Sequence, residues 1–93
     1  MFERILRELR EKIRARQYVM TVHAVDEMDD DGLTVFDIER SILTGEIIER
    51  QKDIVTGEHK YLVKGRAVTD DEITVVTKLS LTGKLVIITV YLE

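Results

Sequence analysis

The chain has 93 residues, 44% of them apolar and 34% charged, with a net charge of −4 and no cysteine. Its length suits a single α+β-sized domain, residues 1–93, with a modest core; the lack of cysteine excludes disulfides, zinc–thiolate sites and thiol nucleophiles. The opening MFERILRELREKIRAR has no apolar secretion-signal stretch, and no apolar run approaches membrane-spanning length, so a cytoplasmic protein with no membrane partner is expected.

The charge is unevenly spread. Residues 1–17 carry six basic and three acidic side chains, residues 21–41 seven acids and one arginine, and five lysines and arginines return between Lys60 and Lys84. The acidic total argues against loose wrapping of nucleic acid but leaves room for a local basic face.

Phe2, Ile5, Leu6, Leu9 and Ile13 recur at helical spacing and predict an amphipathic helix over residues 2–16. Its arginine-rich remainder reads as a solvated face with pairs such as Glu3–Arg7, or as a face for phosphate or an acidic partner. Thr21 is placed to cap a second helix, with Val22, Val25 and Met28 turned inward and Gly32 ending it. Thr34 caps a third, Asp37 sits where a capping box needs its acid, and Val35, Ile38, Ile42 and Leu43 form the buried stripe before Gly45.

From residue 46 the period changes to two. Strands are expected at about 47–52, 58–68, 72–81 and 84–92, joined by the short turns DIVTGE, VTDDE and LTGK. Connections this short predict an antiparallel meander, so the expected fold class is α+β: N-terminal helices on one face of a four-stranded antiparallel sheet. In the last strand Val86, Ile88, Val90 and Leu92 are assigned to the helices. Ile73, Val75, Leu79 and Leu81 are assigned likewise from the strand before, and Tyr61, Val63 and Ala67 from the one before that. The open face then collects Lys60, Lys64, Arg66, Lys78, Thr89 and Tyr91. Exposed strand faces commonly hold such residues; the same set also suits a phosphate-binding face with a tyrosine for stacking or proton transfer.

No glycine-rich phosphate loop, HExxH motif or calcium loop is present. His23 and Glu27 lie one helical turn apart, but a third ligand at suitable spacing is missing, so neither a metal nor another cofactor is expected.

Four segments, TVHAVDEM at 21–28, GLTVFDIERSILTGEIIER at 32–50, TGEHKYLVKGRA at 56–67 and TGKLVIITVY at 82–91, give the chain a wider likeness over residues 18–92. It resembles a family of small uncharacterised bacterial proteins grouped with the RelE-like and BrnT-like toxins. Members are often encoded beside a YgiT-type zinc-finger protein similar to the antitoxin of the MqsR toxin. The resemblance implies a RelE-like toxin-type fold, metal-independent endoribonuclease cleavage of mRNA, with the ribosome as a further partner, and a zinc-finger or helix-turn-helix antitoxin. It implies Lys78 and Arg66 as charge stabilisers, Tyr91 for stacking or proton transfer and His23 as an acid–base group. Lys60, Lys64 and Thr89 would contact RNA. One departure is that many relatives carry arginines where this chain has Glu27 and Asp31, and acids there repel phosphate. The alternative reading is a non-catalytic protein-binding module that keeps the toxin fold. For His23 the alternative role is a hydrogen bond that locks the second helix to the sheet.

Overall fold

A computed structural model describes all 93 residues. Three helices, α1 (Glu3–Arg14), α2 (Val22–Asp30) and α3 (Val35–Thr44), pack with a five-stranded sheet of β1 (Tyr18–Met20), β2 (Glu46–Lys52), β3 (His59–Arg66), β4 (Glu72–Leu79) and β5 (Leu85–Leu92). The strand order is β1-β5-β4-β3-β2. The four expected strands form the antiparallel meander, and β1 adds to its far edge in parallel with β5, pairing Tyr18 with Leu85 and Met20 with Ile87. The sheet is therefore mixed, not purely antiparallel.

Helices α2 and α3 begin at their threonine caps, and α2 ends at Gly32, whose φ is 68°, while Gly45 after α3 is extended and not left-handed. Thr21 caps α2 by accepting the Ala24 N–H at 3.0 Å. At α3 the Asp37 carboxylate reaches back to the Thr34 N–H at 2.7 Å, satisfying a donor that the first turn would leave unpaired. The other end of α3 is closed from outside: the Arg10 guanidinium of α1 donates to the Ile42 carbonyl at 3.2 Å and to the Gly45 carbonyl at 2.8 Å. Tyr18 donates to Glu39 at 2.7 Å, tying β1 to α3. Its phenol is pushed up to about 12 by burial, with the Glu39 hydrogen bond and charge adding to the shift.

Leu9, Ile13, Ala24, Ile38 and Ile42 from the helices meet Tyr61, Val63, Ile73, Val75, Leu85, Ile87 and Val90 from the sheet. The expected core face thus holds in β3 and β4 but shifts in β5. Leu85 and Ile87, not Val86 and Ile88, point under the helices, because the β4–β5 register slips between Val76 and Thr77. That bulge turns the later residues over, so Val90 joins Leu85 and Ile87 in the core. Thr77 is buried there too and donates its hydroxyl to the Tyr61 carbonyl at 3.0 Å. Leu81 is 99% exposed at a hairpin tip and Leu92 is also exposed, both against expectation. In α2, Val22 faces solvent and Ala24 takes the buried position. No helix is long and apolar enough to cross a membrane.

Candidate functional site

Register decides which side chains of the open face are neighbours. Lys64 of β3 lies directly across from Thr74 of β4, which lies across from Tyr91 of β5. Arg66 and Glu72 form the flanking pair beyond this row. The next row inward is Leu62, Val76 and Thr89. Lys78 pairs with Val86 toward the opposite end. It stands four residues from Thr74 along β4, about 13 Å at the usual rise of a strand. Lys60 belongs to that far end as well, opposite Gln51. The structure thus gathers Lys64, Arg66 and Tyr91, and sets Lys60 and Lys78 apart from them.

Carboxylates sit among the cations. Glu72 is 3.1 Å from the Lys64 ammonium and 4.0 Å from the Arg66 guanidinium, and Glu58 is 3.0 Å from the Lys78 ammonium. Asp70 approaches Arg66 as well, and its carbonyl accepts from Arg66 Nη1 at 2.9 Å. The Glu72 hydrogen bond, reinforced by the Glu72 charge, holds Lys64 above the ordinary lysine range. Thr74 is buried in this row and donates to Glu93. Tyr91 is 38% exposed. Beside the Lys64 end, a cleft of about 370 Å³ opens between α3 and the sheet, lined by Arg40, Glu46, Lys64, Arg66 and Glu72.

His23 lies on α2 with most of its side chain in solvent. Its Nε2 is 3.2 Å from Glu27 Oε1, and the same oxygen accepts the Val90 N–H at 3.1 Å. This places His23 at the outer edge of β5, beside the backbone that carries Tyr91. The lock between α2 and the sheet is made by Glu27 and by Thr21, whose hydroxyl donates to the Ile88 carbonyl at 2.9 Å. His23 itself makes no bond to the sheet. Glu27, weighed from the sequence as a second metal ligand beside His23 and as an acid that repels phosphate, satisfies an edge amide of β5. Asp31 lies at the end of α2 without such a role. No group of three or more histidines and carboxylates is placed to hold a metal ion.

Sequence reasoning found the cations of this face but not their partners. Glu72 could have been found, since it is the first residue of its strand and falls opposite Arg66 once the VTDDE turn is closed. Glu58 had a weaker signal: it sits in the turn just before β3, and its diagonal contact with Lys78 depends on the β3–β4 register.

The fold and the face together define a small α+β domain with a mixed sheet, helices on one side and paired charges on the other. The chain belongs to the DUF4258 family, a domain of unknown function, whose model matches residues 20–92. Comparison with curated proteins and with solved structures gave no match. Helix α1 lies outside the matched span, yet it supplies Leu9 and Ile13 to the core and Arg10 to the end of α3.

Proposed function

We propose that this chain is the toxin-like member of a bacterial type II toxin–antitoxin pair, with a RelE-like fold, acting in the cytoplasm as a metal-independent mRNA endonuclease. The observation that carries the reading is the row of Lys64, Thr74 and Tyr91, with Arg66 beside it and the His23–Glu27 pair at the adjoining strand edge. Cleavage of RNA needs a base to take the proton of a 2′-OH, cations to stabilise the phosphorane-like transition state, and an acid to protonate the departing 5′-oxygen. The new 2′-O–P bond replaces the P–O5′ bond and leaves a cyclic phosphate. His23, oriented by Glu27, serves as the base. Tyr91 stacks on a base or donates the proton. Lys64 and Arg66 stabilise charge, while Thr89, Lys60 and Lys78 contact RNA further along the face. The partner is a zinc-finger or helix-turn-helix antitoxin.

Expression of the chain alone should arrest growth, and purified chain should cleave total RNA with or without added ribosomes. Tyr91→Phe or His23→Ala should slow cleavage by about a hundredfold, the usual worth of a positioned acid or base. Normal growth at high soluble expression, with intact RNA in both assays, would remove the nuclease.

A second reading is a non-catalytic binding module on the same fold. It is favoured by Glu72 and Glu58, which already sit on Lys64, Arg66 and Lys78. That module would form a tight antitoxin complex and leave RNA uncut under every condition.

A further inference from the structure

The two antiparallel hairpins β2–β3 and β4–β5 turn at the same end of the sheet, and their tips repeat one pattern. Val55-Thr56-Gly57 is matched by Leu81-Thr82-Gly83. Both glycines have positive φ, 75° and 86°, a conformation that L side chains resist. Each turn is closed by backbone bonds: Gly57 N–H to the Asp53 carbonyl at 2.8 Å and Gly83 N–H to the Ser80 carbonyl at 3.0 Å. These ordered turns hold three aliphatic side chains in solvent: Ile54 is 98% exposed, Val55 92% and Leu81 99%. The tips are about 10 Å apart, two strand spacings, and the Lys78–Glu58 pair ties them together.

The lysines gather at this end. Of the six in the chain, only Lys64 and Lys78 have a carboxylate within ion-pair distance. The other four are all near the tips. Lys52 ends β2 and Lys60 stands near the start of β3. Lys84 follows the second tip, and the Lys12 ammonium reaches to 3.8 Å from where a Cβ on Gly83 would stand. Asp53 and Glu58 are the acids of the first hairpin turn. Asp53 is engaged by its own turn, accepting the Val55 and Thr56 N–H groups at 2.8 and 3.1 Å. The hairpin end is therefore locally basic although the chain as a whole is acidic, and it carries the most exposed aliphatic side chains after Met1.

We infer that this hairpin end is a peripheral docking surface for an anionic lipid bilayer. Rigid tips let Ile54, Val55 and Leu81 enter the acyl boundary without ordering a loop, while lysine stems lie along the interface and place their ammonium groups among anionic headgroups. Single-stranded nucleic acid would account for the lysines, but it is gripped by aromatic stacking, and the large exposed apolar side chains of the tips are all aliphatic. Such a surface leaves no long apolar run in the sequence. It forms only when hairpins distant in sequence are brought side by side. The inference does not rest on the proposed nuclease, although Lys60 and Lys78 figure in both.

The test is flotation of the purified chain with vesicles of phosphatidylcholine alone or mixed with phosphatidylserine. Binding is expected to the anionic vesicles only and to weaken steeply as salt rises from about 0.05 to about 0.5 M. The combined change Ile54→Ser, Val55→Ser and Leu81→Ser leaves the charge untouched and lies wholly at exposed positions. It should weaken binding about tenfold or more. Lys52→Gln with Lys84→Gln should weaken it severalfold while circular dichroism stays unchanged. No binding to anionic vesicles would overturn the inference. So would a serine variant that binds as well as wild type, or equal binding to neutral vesicles. Binding of single-stranded RNA that requires the same three aliphatics, with none to vesicles, would assign this end to nucleic acid instead.

Discussion

Asp37 shows how much one side chain can hold. It is 5% exposed and accepts the Thr34 N–H, the Thr34 hydroxyl at 3.1 Å and the Val68 N–H at 2.8 Å. One carboxylate thus starts α3 and pins the turn between β3 and β4. Burial acts to raise its titration, but the two amides and the hydroxyl outweigh burial and hold it below the ordinary aspartate value of 3.8. The sign follows from linkage. Because the folded value is lowered, the stabilisation is full above the unfolded value and is lost as pH falls through the folded one. Asp37→Asn should cost about 1–3 kcal/mol at neutral pH, the penalty for weakening bonds to buried amides. It should also flatten the fall in stability below about pH 4. Urea unfolding of both proteins across that range measures the two effects together, and an unchanged acid limb would show that Asp37 is not its source. This residue was legible as a cap because the spacing Thr34 to Asp37 is local. Its bond to Val68 was not, since nothing near residue 37 marks a partner in a turn 31 residues away.

At the scale of elements, the tightest contact is α3 on the sheet. Gly65 of β3 lies against the α3 backbone, and a Cβ there would overlap the Ser41 carbonyl; one on Gly45 would overlap the Ser41 and Lys64 carbonyls. Ser41 is itself fully buried, its hydroxyl donating to the Ile38 carbonyl at 2.7 Å. Because the obstacle is backbone, it cannot rotate aside. Gly65→Ala should therefore destabilise by about 3 kcal/mol, the upper range for overpacking, and thermal unfolding would register it as a fall of many degrees. A Gly65→Ala protein as stable as wild type would mean that α3 sits further from β3 than described. Helix boundaries and the faces of β3 and β4 could be read from local pattern, because caps and alternation are local signals. Two elements could not. Strand β1 is three residues long, too short to show a period, and its partner β5 comes from the far end of the chain. In β5, Leu85 and Ile87 are as apolar as Val86 and Ile88, so alternation alone does not choose a face, and the deciding bulge is a property of the pair.

At the scale of the whole molecule, charge is sorted by position. The acids of α2 stand at one side, the hairpin lysines at one end, and the open sheet face mixes both signs. That mixture decides how the proposed function can be tested without assuming catalysis. Glu72 occupies the space beside Lys64 and Arg66 where a phosphate would sit, so an incoming strand must displace a carboxylate before it reaches either cation. The lost ion pair is half-exposed and contributes little to stability, of the order of 0–1 kcal/mol for exposed pairs generally. Glu72→Gln should therefore leave the unfolding midpoint nearly unchanged. Its effect on RNA should be larger: about three- to tenfold tighter binding of a short single-stranded oligonucleotide. The dependence of log affinity on log salt should also steepen by about one unit for each additional phosphate that is neutralised. Glu58→Gln should act the same way through Lys78, and more weakly, because Lys78 lies toward the far end of the face from Tyr91. If neither change tightens binding at any salt concentration, the cations of this face are committed to carboxylates of their own chain. The domain then acts through a protein partner, not through RNA.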